Sequence, residues 1–224
     1  MNQAEDLLST ECDLAIRLNA VTHLDEGLRL CLEAAIKVSE MDCGGIYLVD
    51  DSSGALDLVF DKGLSSEFVK DVCHFDVDTP NTKRVMEGKP VYTRHKKLGV
   101  PLETAERHEQ LLGLAVIPVR HNNQVIGCIN IASHTLEEVP MLCRPALETI
   151  SAQMGGTIAR LRSEEALRES EEHFRSFMES AKGFIVYRLE IDPENYFIGR
   201  LVFVSPNIED EIGVSPEAEF SEKH

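Results

Sequence analysis

The residues of this 224-residue chain that could carry out chemistry lie mainly in one short stretch, Cys73–Asp78. Cys73 and His74 are adjacent, and His74, Asp76 and Asp78 alternate with apolar residues. In an extended segment these three polar side chains would share one face and could hold a divalent ion. The same alternation is typical of any half-exposed strand, which is the interpretation we favour. We therefore predict no metal site and retain Cys73 as a candidate redox thiol.

The composition indicates a folded, acidic protein of a reducing compartment. The net charge is −17, which disfavours nucleic acid and anionic membrane surfaces as partners. Six cysteines show neither a CxxC pair nor regular spacing, so free and mostly buried thiols are expected. The acidic N-terminus lacks the basic and apolar regions of a signal peptide, and no apolar run has the length of a membrane span. These features predict a cytoplasmic protein.

Two changes of hydrophobic period divide the chain. Residues 3–20 and 22–40 have helical periodicity, with Thr22 as the predicted N-cap of the second helix. A period of two follows in 44–50 and 55–61, which the turn residues between them predict to form a hairpin. Pro80 is expected to start a short helix that ends at Gly88. The pattern predicts helices, then an antiparallel meander with helical insertions.

The clearest hairpin is predicted in residues 111–133. Two apolar strands flank His121-Asn122-Asn123, and asparagine tolerates the positive φ that such turns require. After Pro140 the helical period returns, with a buried seam expected either against the first domain or against a twin helix. The seam consists of Leu147, Ile150, Met154, Ile158 and Leu161.

A highly charged helix is predicted to continue to Ser180, and two more strands follow it. So polar a helix gains little by remaining folded alone, which favours pairing with a second copy. We expect a parallel homodimer through the helices at residues 5–20 and 145–178. The step from Leu161 to Leu167 breaks a heptad register.

The order of these elements resembles a GAF domain followed by the beginning of a PAS domain. The motifs that carry the resemblance are GGIYLVD, LDLVFDKG, VMEGKPVY and IPVRHNNQVIGCINIAS, with ALRESEEHFRSFMESAKGFIVY as the PAS entry helix. The resemblance implies an α+β fold: a GAF-type antiparallel sheet flanked by helices, a long signalling helix and an incomplete, PAS-like hairpin. The expected divisions are an N-terminal helix (1–22), the GAF domain (23–160), the linker helix (161–180) and a truncated PAS domain (181–224).

Such arrays resemble the sensory part of two-component histidine kinases. The resemblance implies a cytoplasmic signal-transduction module that binds a small ligand and relays its state through a dimeric helix to a downstream output domain. The chain itself shows no Gly-rich ATP lid, and His173 lacks the sequence context of a phosphorylated kinase histidine. No enzymatic activity is therefore expected of this segment.

Three further readings of the GAF resemblance name specific residues. Similarity to cyclic-nucleotide-binding members points to five positions, although their signature after the last strand is absent. Those positions are Gly45, Phe60, Asp61, Pro80 and Asn81. His108 lies ten residues before Pro118, a spacing similar to the haem-ligating histidine of tetrapyrrole sensors. A haem-based redox or gas sensor is thus one alternative, and a dimerisation module without ligand is another.

The free-methionine sulfoxide reductases of the GAF fold provide an enzyme reading, which we reject. Cys73 falls near one of their cysteines, but no cysteine occurs near Thr82 or before His108 to resolve a sulfenic acid. The long excursion over 62–111 instead predicts a ligand pocket between this segment and the sheet. Its expected lining residues are Phe60, His74, Pro80, Tyr92 and His108.

Overall fold

A computed structural model describes residues 3–94, 109–180, 185–191, 199–205 and 207–213. The chain divides into two compact units, residues 1–162 and 163–224. Within the described ranges, none of the helices combines the length and the apolar character that crossing a membrane requires.

The first unit is built on a six-stranded, fully antiparallel sheet. Its strands are β1 (Cys43–Val49), β2 (Leu56–Lys62), β3 (His74–Phe75), β4 (Val91–Arg94), β5 (Gly113–His121) and β6 (Gln124–Ser133). Their order across the sheet is β3-β2-β1-β6-β5-β4. At the centre of the sheet, β1 pairs with β6, which are the first and the last of the six strands along the chain.

Three helices cover one side of this sheet, which we call the helix face. They are α1 (Gln3–Ala20), α2 (Leu24–Ser39) and the first half of α5 (Arg144–Ser180), which is preceded by a 3₁₀ turn at Met141–Cys143. Alternate strand residues such as Ile46, Ile117 and Ile129 point into this layer and are fully buried. This face contains the main hydrophobic core of the unit.

The long helix approaches the sheet closely because α5 carries small residues at the contact. Ser151 Oγ donates a hydrogen bond to Pro118 O at 2.8 Å. A Cβ atom at Gly155 would collide with Arg120 O, so only glycine permits this distance between helix and strand. The α5 helix is thereby held against β5.

Two short helices, α3 (Ser66–Val72) and α4 (Pro80–Met86), lie along the sequence between β2 and β4. Each begins with a side-chain cap: Ser65 accepts from Phe68 N, and Thr79 accepts from Thr82 N. Phe68 and Val85 contact apolar residues of β1, β5 and β6 that point away from the helix face. We call this second side of the sheet the cavity face.

The hydrophobic periods locate most elements correctly, and the turn residues explain the hairpins. Asn122 and Asn123 both have positive φ and form a two-residue turn, as expected from their tolerance of this region. Gly88 follows α4 with φ +68°. The predicted N-cap Thr22 is wrong, because α2 begins after His23, whose side chain makes no capping bond. The sequence reading also missed α3.

The apolar seam of α5 packs within its own domain. Leu147, Ile150, Met154 and Ile158 are almost fully buried in the helix-face core, and Leu161 is buried at its end. The sequence left two partners open for this seam, the first domain or a twin helix. The seam contacts the first unit's own sheet and helices.

The second unit contains the rest of α5, the antiparallel strands β7 (Tyr187–Ile191) and β8 (Gly199–Val204), and the short helix α6 (Ile208–Ile212). The hairpin and the following helix agree with the sequence expectation, whereas the proposed PAS identity remains a prediction.

The burial of the α5 seam can be tested by two identical substitutions in the first unit. Ile150→Ala should lower the free energy of unfolding by about 2–5 kcal/mol, because Ile150 is fully buried. Ile16→Ala is the matched control: Ile16 is also helical but 70% exposed, so a change within about 0.5 kcal/mol is expected. Urea unfolding followed by circular dichroism measures both, and equal effects would contradict the packing described here.

Candidate functional site

A cavity of about 90 Å³ lies on the cavity face of the sheet, beneath α3 and α4. Its wall is largely apolar and combines strand residues with residues of the two short helices. The apolar lining includes Tyr47, Leu56, Phe68, Val85, Val116 and Cys128. Alternation along β1, β5 and β6 creates this wall, because residues next to those of the helix-face core point to the opposite side.

Three polar side chains also line the cavity: Asn81 and Arg84 from α4, and Asn130 from β6. Asn130 Oδ1 is buried and has no hydrogen-bond partner among the described residues. A buried acceptor without a partner costs roughly 1–3 kcal/mol. The cavity therefore contains an acceptor that a donor group of a bound molecule would satisfy.

Gly45 allows close packing on the cavity face. It is the partner of Asn130 across the β1–β6 ladder. A Cβ atom at this position would approach Leu58 Cδ1 to 2.7 Å. Glycine at position 45 therefore lets the Leu58 side chain lie against β1.

Burial keeps two titratable groups of the cavity wall, Tyr47 and Cys128, uncharged. Tyr47 donates to Val72 O at 2.9 Å, which ties the end of α3 to the sheet, and burial raises the pKa of this phenol. Burial also raises the pKa of the Cys128 thiol to about 12. Neither group offers an anion at neutral pH, so the chemistry of this cavity is that of binding an apolar body with a few directed hydrogen bonds.

The structure brings only part of the predicted ligand set to this cavity. Gly45 and Asn81 line it. Phe60 and Tyr92 pack instead against the helix-face core. Tyr92 Oη donates to Glu148 Oε1 at 2.9 Å, and the Arg144 guanidinium lies 4.5 Å from the ring centroid, so this phenol is fixed by α5.

The other predicted residues have separate surroundings. Asp61 pairs with Gly45 in the β1–β2 ladder, and Pro80 is the first residue of α4, but neither belongs to the cavity wall. Cys73 is exposed and donates to Lys70 O, so its role as a redox thiol stays a prediction. His108 lies outside the described residues.

His74 is exposed and paired with two carboxylates. Its Nδ1 lies 2.6 Å from Asp57 Oδ1 and its Nε2 lies 3.2 Å from Asp76 Oδ1, and these hydrogen bonds raise the pKa of the imidazole. The strand ends at Phe75, so the extended arrangement with Asp78 does not form. Asp78 instead pairs with Lys83 at 3.4 Å.

Sequence reasoning missed Asn130 and Arg84. A signal for Asn130 was present, because it interrupts the apolar run of β6 between two isoleucines. Recognising it as a cavity residue required the faces of β6 to be assigned, and the local pattern alone does not show which face carries the cavity.

Comparisons with known proteins agree with this architecture. A family model described as "GAF domain" matches residues 21–159. No curated protein matches the chain. A solved domain of a putative two-component sensor histidine kinase from Sinorhizobium meliloti 1021 is 22% identical, with a TM-score of 0.56, and the match covers 66% of this chain and 99% of that one.

Two other solved structures show the same fold at lower identity. The GAF domain of a phosphoenolpyruvate-protein phosphotransferase from Coxiella burnetii is 18% identical, with a TM-score of 0.60, over 74% of this chain and 99% of its own. The chromophore-binding domain of a bacteriophytochrome from R. palustris is 13% identical, with a TM-score of 0.57, over 74% and 64%. Because the matched family model spans more than half of the sequence, this chain belongs to the GAF domain family.

Proposed function

We propose that the first unit is a ligand-binding sensory module of a signal-transduction protein. The observation that carries this proposal is the apolar cavity containing the unpaired oxygen of Asn130. A protein that used this side of the sheet only for packing would gain stability by filling the space and removing the buried acceptor. The resemblance to a domain of a putative sensor histidine kinase supports the same role.

The cavity favours a small ligand with an apolar body and at least one N–H or O–H donor. Its volume of about 90 Å³ is smaller than the roughly 300–1,000 Å³ of pockets for drug-sized molecules. The donor would reach Asn130 Oδ1, while Asn81 and Arg84 would contact polar atoms at the α4 side. This small volume speaks against the haem alternative, which also depends on His108.

The sheet itself provides a route by which ligand binding would reach α5. Val116 and Cys128 line the cavity, and their neighbours Ile117 and Ile129 pack in the helix-face core. The same strand β5 accepts the hydrogen bond from Ser151 and lies against Gly155 of α5. A ligand that favours one arrangement of β5 and β6 would bias the helix packed behind them.

If two copies pair through α5, a change in the packing of α5 caused by the ligand would be passed to a downstream output domain. Beyond the buried seam, α5 exposes Leu167, Phe174 and Phe177, each more than half accessible. Their spacing of seven and three residues is that of a coiled-coil seam. We therefore place the homodimer contact on α5 at these three residues. A dimerisation module without ligand is the competing function.

The cost of the unpaired acceptor leads to a prediction about stability. Asn130→Leu keeps the side-chain branch at Cγ, places two methyl groups in the cavity and removes the buried oxygen, so the free energy of unfolding should rise by about 1 kcal/mol. The control Ile131→Val changes the next residue, which faces the helix layer, and should lower that free energy by about 0.5–1.5 kcal/mol. A loss of stability in Asn130→Leu, measured by urea unfolding, would show that Asn130 is paired in the folded protein.

Ligand binding is tested by a thermal-shift screen of small apolar compounds that carry one hydrogen-bond donor. A compound present at about 100 times its Kd should stabilise the wild-type chain and Ile131→Val by about 2.7 kcal/mol. The same compound should have little effect on Asn130→Leu, which lacks the acceptor. The proposal is contradicted if the screen finds no stabilising compound, or if every stabilising compound acts equally on Asn130→Leu.

The dimer is tested by adding one charge to the exposed seam. Phe174→Asp should raise the dimer dissociation constant at least about tenfold, equivalent to about 1.4 kcal/mol, because a carboxylate would be desolvated at the contact. Ser176→Asp adds the same charge about 200° around the same helix and should leave the constant unchanged. Sedimentation equilibrium distinguishes them, and a monomeric wild-type chain at micromolar concentration would refute the dimer.

A further inference from the structure

Three potential metal ligands meet at one end of the sheet. Asp42 directly precedes β1, Cys43 is its first residue, and His134 directly follows β6. The two strands pair here, with Cys43 opposite Ala132, and Asp42 N donates to Ala132 O at 3.3 Å. The backbone ladder therefore fixes the three side chains relative to one another.

Their ligand atoms are close enough to share one ion. One donor atom from each residue lies within 4.8 Å of the other two. His134 Nδ1 is 2.6 Å from Asp42 Oδ1 and 3.9 Å from Cys43 Sγ. Zinc bonds of about 2.0–2.1 Å to nitrogen and oxygen and about 2.3 Å to sulfur would place these atoms roughly 3.3–3.5 Å apart in a tetrahedron. Shifts of less than about 1 Å would reach that geometry.

The surroundings of the three residues orient them as the partners of metal ligands do. On the far side of the imidazole, His134 Nε2 faces Glu109 Oε1 at 3.7 Å, and the Glu109 side chain is only 5% exposed. Metal-bound histidines commonly donate their second N–H to a carboxylate, and Glu109 lies just beyond hydrogen-bond distance on that side of the ring. Ser65 N donates to Glu109 Oε1 at 2.9 Å, and Ser65 Oγ donates to Oε2, which holds the carboxylate in place.

Asp42 is held equally firmly. Ser133 Oγ donates to Asp42 Oδ2 at 2.7 Å, and the backbone N–H of His134 donates to the same oxygen at 3.0 Å. Asp42 is therefore an oriented carboxyl group that a cation can use without reorganising the turn.

We propose that Asp42, Cys43 and His134 bind a Zn²⁺ ion through Oδ1, Sγ and Nδ1, with Glu109 as a positioning residue behind the imidazole. On binding, the thiol proton of Cys43 leaves to solvent. The proton that lies between His134 Nδ1 and Asp42 Oδ1 is also released to solvent, so that the neutral imidazole carries its single proton on Nε2, directed at Glu109. Asp42 and His134 are both partly exposed, so the ion has a path from solvent. The fourth position of the tetrahedron is taken by water from that side.

The site would connect the ends of β1 and β6 at the border of the cavity. Cys43 packs with Phe68, Leu111 and Ala132, three residues that also line the cavity. A cation that fixes Cys43 would therefore stabilise part of the cavity wall. This inference does not depend on the ligand-sensing proposal, because the ion contacts none of the groups proposed to bind the ligand.

Cobalt(II) added to the metal-free full chain tests the proposal, since its bond to a thiolate gives a charge-transfer absorption that oxygen and nitrogen ligands alone do not. We expect one equivalent of Co²⁺ to produce this band and one equivalent of Zn²⁺ to abolish it. The band should be lost in Cys43→Ser and in His134→Ala. Glu109→Gln should keep the band and weaken Co²⁺ affinity about tenfold.

The exposed thiols provide the matched control. A chain with Cys12→Ser and Cys73→Ser lacks both exposed sulfurs and should keep the full band. Circular dichroism establishes that each variant is folded, and a Zn²⁺-dependent rise in the Tm of the wild-type chain gives a readout independent of any variant. The proposal is overturned if the wild-type chain gives no band, if folded Cys43→Ser or His134→Ala keeps it, or if removing the exposed thiols abolishes it.

Discussion

The first unit depends on one constraint: its central strands are buried on both faces by layers of different kinds. Alternation along β1, β5 and β6 sends one set of side chains into a continuous core with α1, α2 and α5. The other set meets two short helices and forms two smaller clusters with a cavity among them. A shift of register by one residue in any central strand would exchange the two sets, so the cavity and the core are specified together.

The asymmetry between the two layers explains how a rigid domain can accommodate a ligand. The helix face is held by long elements and by polar contacts that cross between them, such as Arg160 donating to the carbonyls of Leu18 and Val21. Among the described residues, the cover of the cavity face is formed mainly by two seven-residue helices, each with two buried side chains. Elements with so few buried contacts have low local stability and open easily. The cover of the cavity face is therefore the part of the unit that would open to admit a ligand.

The sequence predicted the elements far better than the site. Periodicity locates α1, α2, α5 and the hairpin strands, because each pattern reports the burial of its own segment. It could not decide what the Ile150 seam contacts, since a sheet and a twin helix demand the same apolar stripe. The site is non-local: Gly45 meets Asn130, and Asp42 meets His134, only through the β1–β6 pairing of residues that are 85 and 92 positions apart in the sequence. The predicted Phe60 and Tyr92 illustrate the same difficulty, because a partly buried aromatic residue fits either face of a strand.

Amide hydrogen exchange followed by mass spectrometry tests most directly the central claim that a rigid helix face supports a separately opening cavity cover. The account predicts that β1, β6 and residues 146–161 of α5 exchange only by global unfolding of the unit. It predicts that α3 and α4 exchange much faster, by local opening, under the same conditions. Protection of α3 and α4 equal to that of β1 and β6 would contradict the account, because the cavity face would then be a closed core.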